Sequence, residues 1–168
     1  MLDEDNSEIS VGEFVELLWK ECGPRAGEWG GAALSEGGAA SLTLSELLRF
    51  GHFRGWLEDS DECHPENLLN RQTAARIIHQ FMLMELSIPD ISDIRGAERL
   101  RDLYTCRVCA NHVAQVYLRG IMRAQEMEVV DGALGDVSGA AQNNFMFNHL
   151  GRVTRFEARE AMEQLRQV

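Results

Sequence analysis

The residues in this chain best able to do chemistry are thiols, imidazoles and a few arginines. Cys106-Arg107-Val108-Cys109 is a C-x-x-C, and His112 follows it at helical spacing. If the segment is helical, these side chains lie on neighbouring faces of one helix. A zinc site would need a second pair of ligands, and Cys22, Cys63 and His64 stand at no usual spacing for that. A redox pair normally opens a helix after a strand, whereas the pattern here places the pair in mid-helix. The expectation is two small buried thiols filling a helix face. Cys106, Cys109 and His112 are the candidates for a metal, and a thiol or metal protein is one alternative. Elsewhere, His79 sits among apolar residues and reads as a satisfied core side chain. Asp59-Ser60-Asp61-Glu62 has some calcium-loop character but lacks the glycine and the closing glutamate. There is no G-x-S-x-G, phosphate loop or dinucleotide fingerprint, and nothing selects one pair of carboxylates for glycoside hydrolysis. The chain therefore reads as non-catalytic and without a cofactor.

The elements that must position these residues follow from composition and periodicity. With 168 residues, 45% of them apolar, the chain can bury one real core. No apolar run approaches the ~20 residues a membrane span needs, so no membrane partner is expected. Lys and Arg number 16 against 27 acids, and the net charge of −11 argues against nucleic acid. Four cysteines are too few for a disulfide scaffold of this length. The acidic first residues lack the pattern of a secretory signal.

Capping boxes and apolar stripes predict the helices. The first covers residues 10–22, with Ser10 and Glu13 as its box. Residues 23–42, rich in Gly, Ala and Ser, read as a flexible connection that includes Trp29. Thr43 and Glu46 open a short helix that ends at Gly51, followed by a turn to Gly55 and an acidic loop. Residues 70–87 form a broad-faced, buried helix capped by Asn70. Residues 92–119 read as another helix, broken near Gly96. Residues 125–151 read as a long loop, with a short strand or turn at 128–130. A last helix runs from Arg155.

One pattern recurs. Ile9-Ser10-Val11-Gly12-Glu13, Leu69-Asn70-Arg71-Gln72-Thr73 and Val153-Thr154-Arg155-Phe156-Glu157 each precede apolar residues at equivalent offsets, beginning with Phe14, Ala74 and Ala158. The segment Phe147 to Glu157 resembles the end of an S-layer homology repeat, in which a helix, a G-I-x-x-G turn and an F-x-P loop lead to I-T-R-A-E. His149 stands where proline is usual, and the resemblance implies that it and His52, which also replaces a residue usual to the family turn, line a groove. Cys63 to Arg71 is similar, with Pro65 in place and Cys63 replacing the aromatic residue. Gly51 and Gly55 have the spacing of the glycine turn. Gly120-Ile121 matches its first half, with Ala124 replacing the second glycine. Ile91-Ser92-Asp93-Ile94 resembles the opening of a repeat.

The resemblance implies an all-α fold of tandem helix–loop–helix repeats around a pseudo-threefold axis. Residues 1–22 would be the second half of repeat one, 23–42 a connection, 43–90 repeat two and 91–168 repeat three. It implies non-covalent attachment to secondary cell-wall polysaccharide linked to peptidoglycan, often pyruvylated. In that family the motif arginine contacts the anionic ligand, which implicates Arg71 and Arg155, and the turn glycines Gly51, Gly55 and Gly120 lie nearby. Trp56, just after a turn, would stack on sugar; Trp19 reads as core. A guanidinium beside a helix N-terminus suits a carboxylate, because free N–H groups add to the fork. Two departures stand out: Val11 occupies the arginine position in repeat one, and Thr73 the glutamate position in repeat two. The alternative is an interaction protein that kept the fold and lost the sugar site. The incomplete first repeat would then leave an apolar face for a second copy to cover, giving a homo-oligomer. The location implied is the bacterial cell surface for a piece of a longer secreted chain, and the cytoplasm otherwise.

Overall fold

A computed structural model of the chain describes residues 5–24, 42–126 and 145–168. Six α-helices and one two-stranded ladder occur among these residues, so the coarse all-α reading holds. Helix α1, Val11–Cys22, starts at a complete Ser10/Glu13 capping box and buries Val11, Phe14, Val15 and Leu18 as one stripe. Helix α2, Leu44–Arg54, starts at a complete Thr43/Glu46 box. It does not stop at Gly51 as the sequence suggested, but runs on to a left-handed cap at Gly55, φ 86°. Gly51 is there for close packing: an added Cβ would lie 2.6 Å from Leu57 Cδ1. Gly55 is the residue whose positive φ favours glycine.

The acidic loop is a short helix, α3, Asp59–Cys63. Asp61 accepts from Glu58 N–H at 2.8 Å and pairs with Arg76 at 2.8 Å, so its carboxylate is already used. Helix α4, Arg71–Met84, buries Ala74, Ala75, Ile77, Ile78, Phe81 and Met82. It packs on the helix at Ala110–Leu118 and carries the centre of the core, where Phe81 meets Trp56 edge-on at 5.1 Å.

Residues 92–119 do not form one helix. They form 3-10 turns at Arg95–Arg99 and Leu103–Thr105 and then α5, Ala110–Leu118. Tertiary bonds override the periodicity here. Buried Asp102 accepts from Phe147 N–H at 2.6 Å and Asn148 N–H at 2.7 Å, which ties this stretch to a distant segment instead of to its own helix. Strands β1, Gln125–Glu126, and β2, Phe145–Met146, pair antiparallel, with Gln125 opposite Met146. The expected strand at 128–130, most of the 23–42 connection and Trp29 lie outside the described residues. Helix α6, Arg155–Leu165, starts at a complete Thr154/Glu157 box. No helix among the described residues is long and apolar enough to cross a membrane.

The three similar helix starts meet at the centre. Ile9 N–H donates to Val153 O (3.0 Å), Val153 N–H to Leu69 O (3.0 Å) and Leu69 N–H to Ile9 O (2.9 Å), closing a ring. The next layer is also cyclic, but runs the opposite way round at an offset of its own. Val11 N–H donates to Asn67 O, Arg71 N–H to Gly151 O and Arg155 N–H to Ser7 O, each at 2.9 Å. One residue further on, Gly12, Gln72 and Phe156 donate to Pro65, His149 and Asp5. These are first-turn N–H groups, which a helix cannot satisfy by itself. Each helix start has its orphan donors filled by the segment that leads into another.

Candidate functional site

The same interlocking decides what the motif arginines do. The Arg71 side chain is 2% exposed as a residue and points along the start of α6. Its Nε donates to Phe147 O at 2.6 Å, one terminal nitrogen to Glu157 Oε1 at 2.9 Å and the other to Arg123 O at 2.5 Å. Its guanidinium carbon lies 4.7 Å from the centre of the Phe147 ring. Burial pulls its pKa below the usual arginine value, and Glu157 and then Asp102 oppose that shift. Arg155 repeats the pattern nearer solvent: it donates to Glu13 Oε1 at 2.5 Å and to Ser7 Oγ at 2.9 Å. Each glutamate divides its oxygens. Glu157 Oε2 accepts from Thr154 N–H (3.0 Å) while Oε1 faces Arg71; Glu13 Oε2 accepts from Ser10 N–H (2.9 Å) while Oε1 faces Arg155.

The expected carboxylate site is thus occupied from within. Its guanidinium fork faces a carboxylate of this chain, and the adjacent first-turn N–H groups face backbone carbonyls. The two departures noted in sequence also turn out to be one. By the same offset, the third seam would pair position 11 with position 73, and those positions hold Val11 and Thr73. The ion pair is missing there on both sides at once. The cap itself is kept: Thr73 N–H donates to Asn70 Oδ1 at 2.9 Å, as Glu13 N–H does to Ser10 and Glu157 N–H to Thr154.

Other expected site residues separate. Trp56 is fully buried, stacked on Trp19 at 6.5 Å and edge-on to Phe81, so it cannot meet a sugar. Its indole N–H has no partner among the described residues. Gly51 is buried beneath it, and Gly55 is an exposed helix cap. His149 is buried, with Nε2 2.8 Å from Asp102 O, rather than groove-lining. His52 is exposed, but contacts Glu62 (2.5 Å) and Asp59 (2.9 Å). The face of α1 expected to lack a mate is covered by α2 and α6.

Gly120 does border a cavity. Its φ of 71° turns the chain after α5, and the next residues form one wall of a cleft of about 330 Å³. Arg99, Tyr117, Arg123 and Phe145 line it with Gly120. A narrower recess of about 100 Å³ adjoins it through Met122, Arg123 and Ala124, with Arg71 and Glu157 in its wall. The Arg123 side chain is 74% exposed and only 4.0 Å from Glu160. Arg71 and Gly120 therefore border neighbouring parts of one depression, with Arg71 held as structure and Arg123 presenting charge. Sequence reading missed Arg123, Arg99 and Tyr117. They lie at no motif position, and only the turn at Gly120 brings them together.

The C-x-x-C departs furthest from expectation. Cys106 and Cys109 are not buried thiols in mid-helix: they form a disulfide in the turn before α5, with Cys109 as the N-cap. His79 Nδ1 lies 2.8 Å from His112 Nδ1, and His79 Nε2 2.7 Å from Asp90 Oδ1. Burial, then the neighbouring His79 and Arg76, push the His112 pKa down to about 4. No group of three or more His, Cys, Asp or Glu able to hold a metal occurs among the described residues. No family model matches the chain, and neither a curated protein nor a solved structure matches it.

Proposed function

We propose that this chain is a non-catalytic binding module of S-layer-homology-like organisation, in which three units related by an approximate rotation enclose one core. The observation that carries this reading is the closed ring of Ile9, Leu69 and Val153, with two further cyclic layers of bonds, each keeping one offset of its own across the three helix starts. The paired arginines fit the same scheme, since Arg71 meets Glu157 as Arg155 meets Glu13. The ligand is an acidic polysaccharide of the cell-wall type, and its place is the cleft at Gly120. Cations at Arg99 and Arg123 and an aromatic face at Tyr117 suit a charged sugar. The cleft volume lies at the lower end for small-molecule sites, enough for one or two sugar units. Retention on purified wall sacculi tests it, with sacculi stripped of secondary polymer as the control. The expected result is retention on intact sacculi alone, reduced about tenfold in an Arg99→Ala/Arg123→Ala double variant. Equal retention on both preparations overturns it.

A second reading is favoured by one observation: both motif arginines are consumed by glutamates of this chain. On that reading the fold survives as an interaction scaffold and the sugar site is lost. No retention on either preparation, together with a stable protein partner, selects it.

A further inference from the structure

The binding reading leaves the C-x-x-C unused. The Cys106–Cys109 disulfide lies at the surface end of α5. Both cysteines are half-buried, while Arg107 and Val108 between them are exposed, Val108 at 85%. The same chain keeps Cys22 and Cys63 as free thiols, Cys63 exposed. An oxidised pair and an accessible thiol thus coexist in one molecule.

We propose that Cys106 and Cys109 form a thiol–disulfide exchange site that accepts two electrons from a vicinal dithiol. Three observations support it. A bridge between residues so close in sequence removes little entropy from the unfolded chain, so stability is a poor reason for it. The turn is also anchored independently, because α5 packs along α4 and Gln115 binds Ile91 N–H and C=O at 2.8 and 2.9 Å. The second observation is position. Cys109 is the N-cap of a helix that no side chain caps, where the dipole and first-turn N–H groups favour a thiolate. The third is access: the exposed Arg107–Val108 tip leaves a path to sulfur and puts a cation beside an approaching thiolate.

These features set the order of events. A donor thiolate attacks Cys106 Sγ, the Cys106–Cys109 bond breaks, and its electron pair leaves on Cys109 Sγ at the helix N-terminus. The donor's second sulfur, as thiolate, then attacks its own sulfur in the mixed disulfide and releases Cys106 as thiolate. The donor ends as a disulfide; of the two protons it gives up, one ends on Cys106 and the other passes to solvent while Cys109 stays a thiolate. Beside this path, Gln72 Oε1 lies 3.8 Å from Cys109 Sγ. His112, one turn further along α5, is held by the His79–Asp90 pair.

The test uses the intact chain without denaturant. It is incubated with dithiothreitol or, separately, with reduced thioredoxin as a protein dithiol, then trapped with a maleimide and weighed. The expected result is labelling of both Cys106 and Cys109 within minutes, with an unchanged far-ultraviolet circular dichroism spectrum. Once reduced, Cys109 should alkylate at about pH 6.5 at least about tenfold faster than Cys63, the internal control. A Cys106→Ser variant should keep that fast Cys109, and in Cys109→Ser the remaining Cys106 should react no faster than Cys63. Reduction faster by thioredoxin than by dithiothreitol at equal dithiol concentration assigns a protein donor; the reverse assigns a small one. A pair that takes label only in denaturant, or a Cys109 no faster than Cys63, is a plain structural bridge and overturns the proposal. Wall retention is unaffected in either case.

Discussion

Arg71 and Arg155 occupy the same place in two similar helix starts, and each faces the capping glutamate of another helix. They differ in how much water they keep. Arg71 is 3% exposed in its side chain and bonds two backbone carbonyls besides Glu157; Arg155 is 36% exposed and has a serine hydroxyl instead. One sequence position thus yields two energetic objects. In the buried case, truncation strands two carbonyls and takes a carboxylate's cation, and the cost is set by what is left uncompensated. In the exposed case, water takes over.

The largest expected effect follows from that contrast. Arg71→Ala should destabilise the fold by about 3–5 kcal/mol, read as a lower urea midpoint, because it takes the cation from Glu157 and the side-chain donor from Phe147 O and Arg123 O. Arg71→Lys should recover only part of this, since one ammonium cannot span the three acceptors. Arg155→Ala should cost no more than about 1 kcal/mol. Equal costs at the two positions would mean that burial does not separate them.

A second buried pair, at the α4–α5 joint, sharpens the point through pH. His112 has its pKa pushed down to about 4, so between about pH 4 and 6.5 the unfolded chain binds more protons there than the folded one. Its contribution is therefore fully present above about pH 6.5 and is lost as pH falls toward 4. The groups facing it are His79, Arg76 and Asp90. Urea midpoints at several pH values should decline across this window, and His112→Gln should flatten the decline. An unchanged slope in the variant would place the titration elsewhere.

Much of this was legible in sequence because it is local. The boxes at Ser10, Thr43 and Thr154 need only neighbours three residues apart, and all three form. Gly55 was readable as a turn for the same reason, whereas Gly51 was misread. A glycine required by Leu57 and Trp56 looks no different from a helix stop until the packing is known. The 92–119 region was misread because Asp102 draws its order from Phe147 and Asn148, far along the chain. At the site, the arginines could be found but not their role. A first-turn arginine reads as an anion contact unless the carboxylate opposite it is visible, and Glu157 lies 86 residues away.

The exposed pair has an acid signature of its own. Glu13 has a lowered pKa, chiefly from its bond to Arg155 and then from Ser10 N–H. Stability from Glu13 is therefore present above its unfolded value near 4.5 and lost as pH falls through the lower folded value. Arg155→Ala should make acid unfolding below about pH 4.5 less steep, while leaving the His112 window above it unchanged. A mutant that keeps the full slope would assign the shift to the cap alone.

The smallest expected effect concerns the seam with no ion pair, and it bears most directly on the proposed threefold relation. If the three seams are equivalent, arginine at position 11 and glutamate at position 73 should find each other. Val11 is only 6% exposed, so Val11→Arg alone should destabilise by burying an unmatched cation, and Thr73→Glu alone should do little. The informative quantity is the difference between the double variant and the sum of the singles. A favourable coupling of about 0.5–1 kcal/mol in a double-mutant cycle is expected, reduced by salt because position 73 is partly exposed. Zero coupling would mean that this seam has a different geometry from the other two, and that the shared offset in the backbone ring does not extend to the side chains above it. The Arg155→Ala/Glu13→Ala cycle supplies the reference: the engineered pair should approach that value and stay well short of the one expected from an Arg71→Ala/Glu157→Ala cycle.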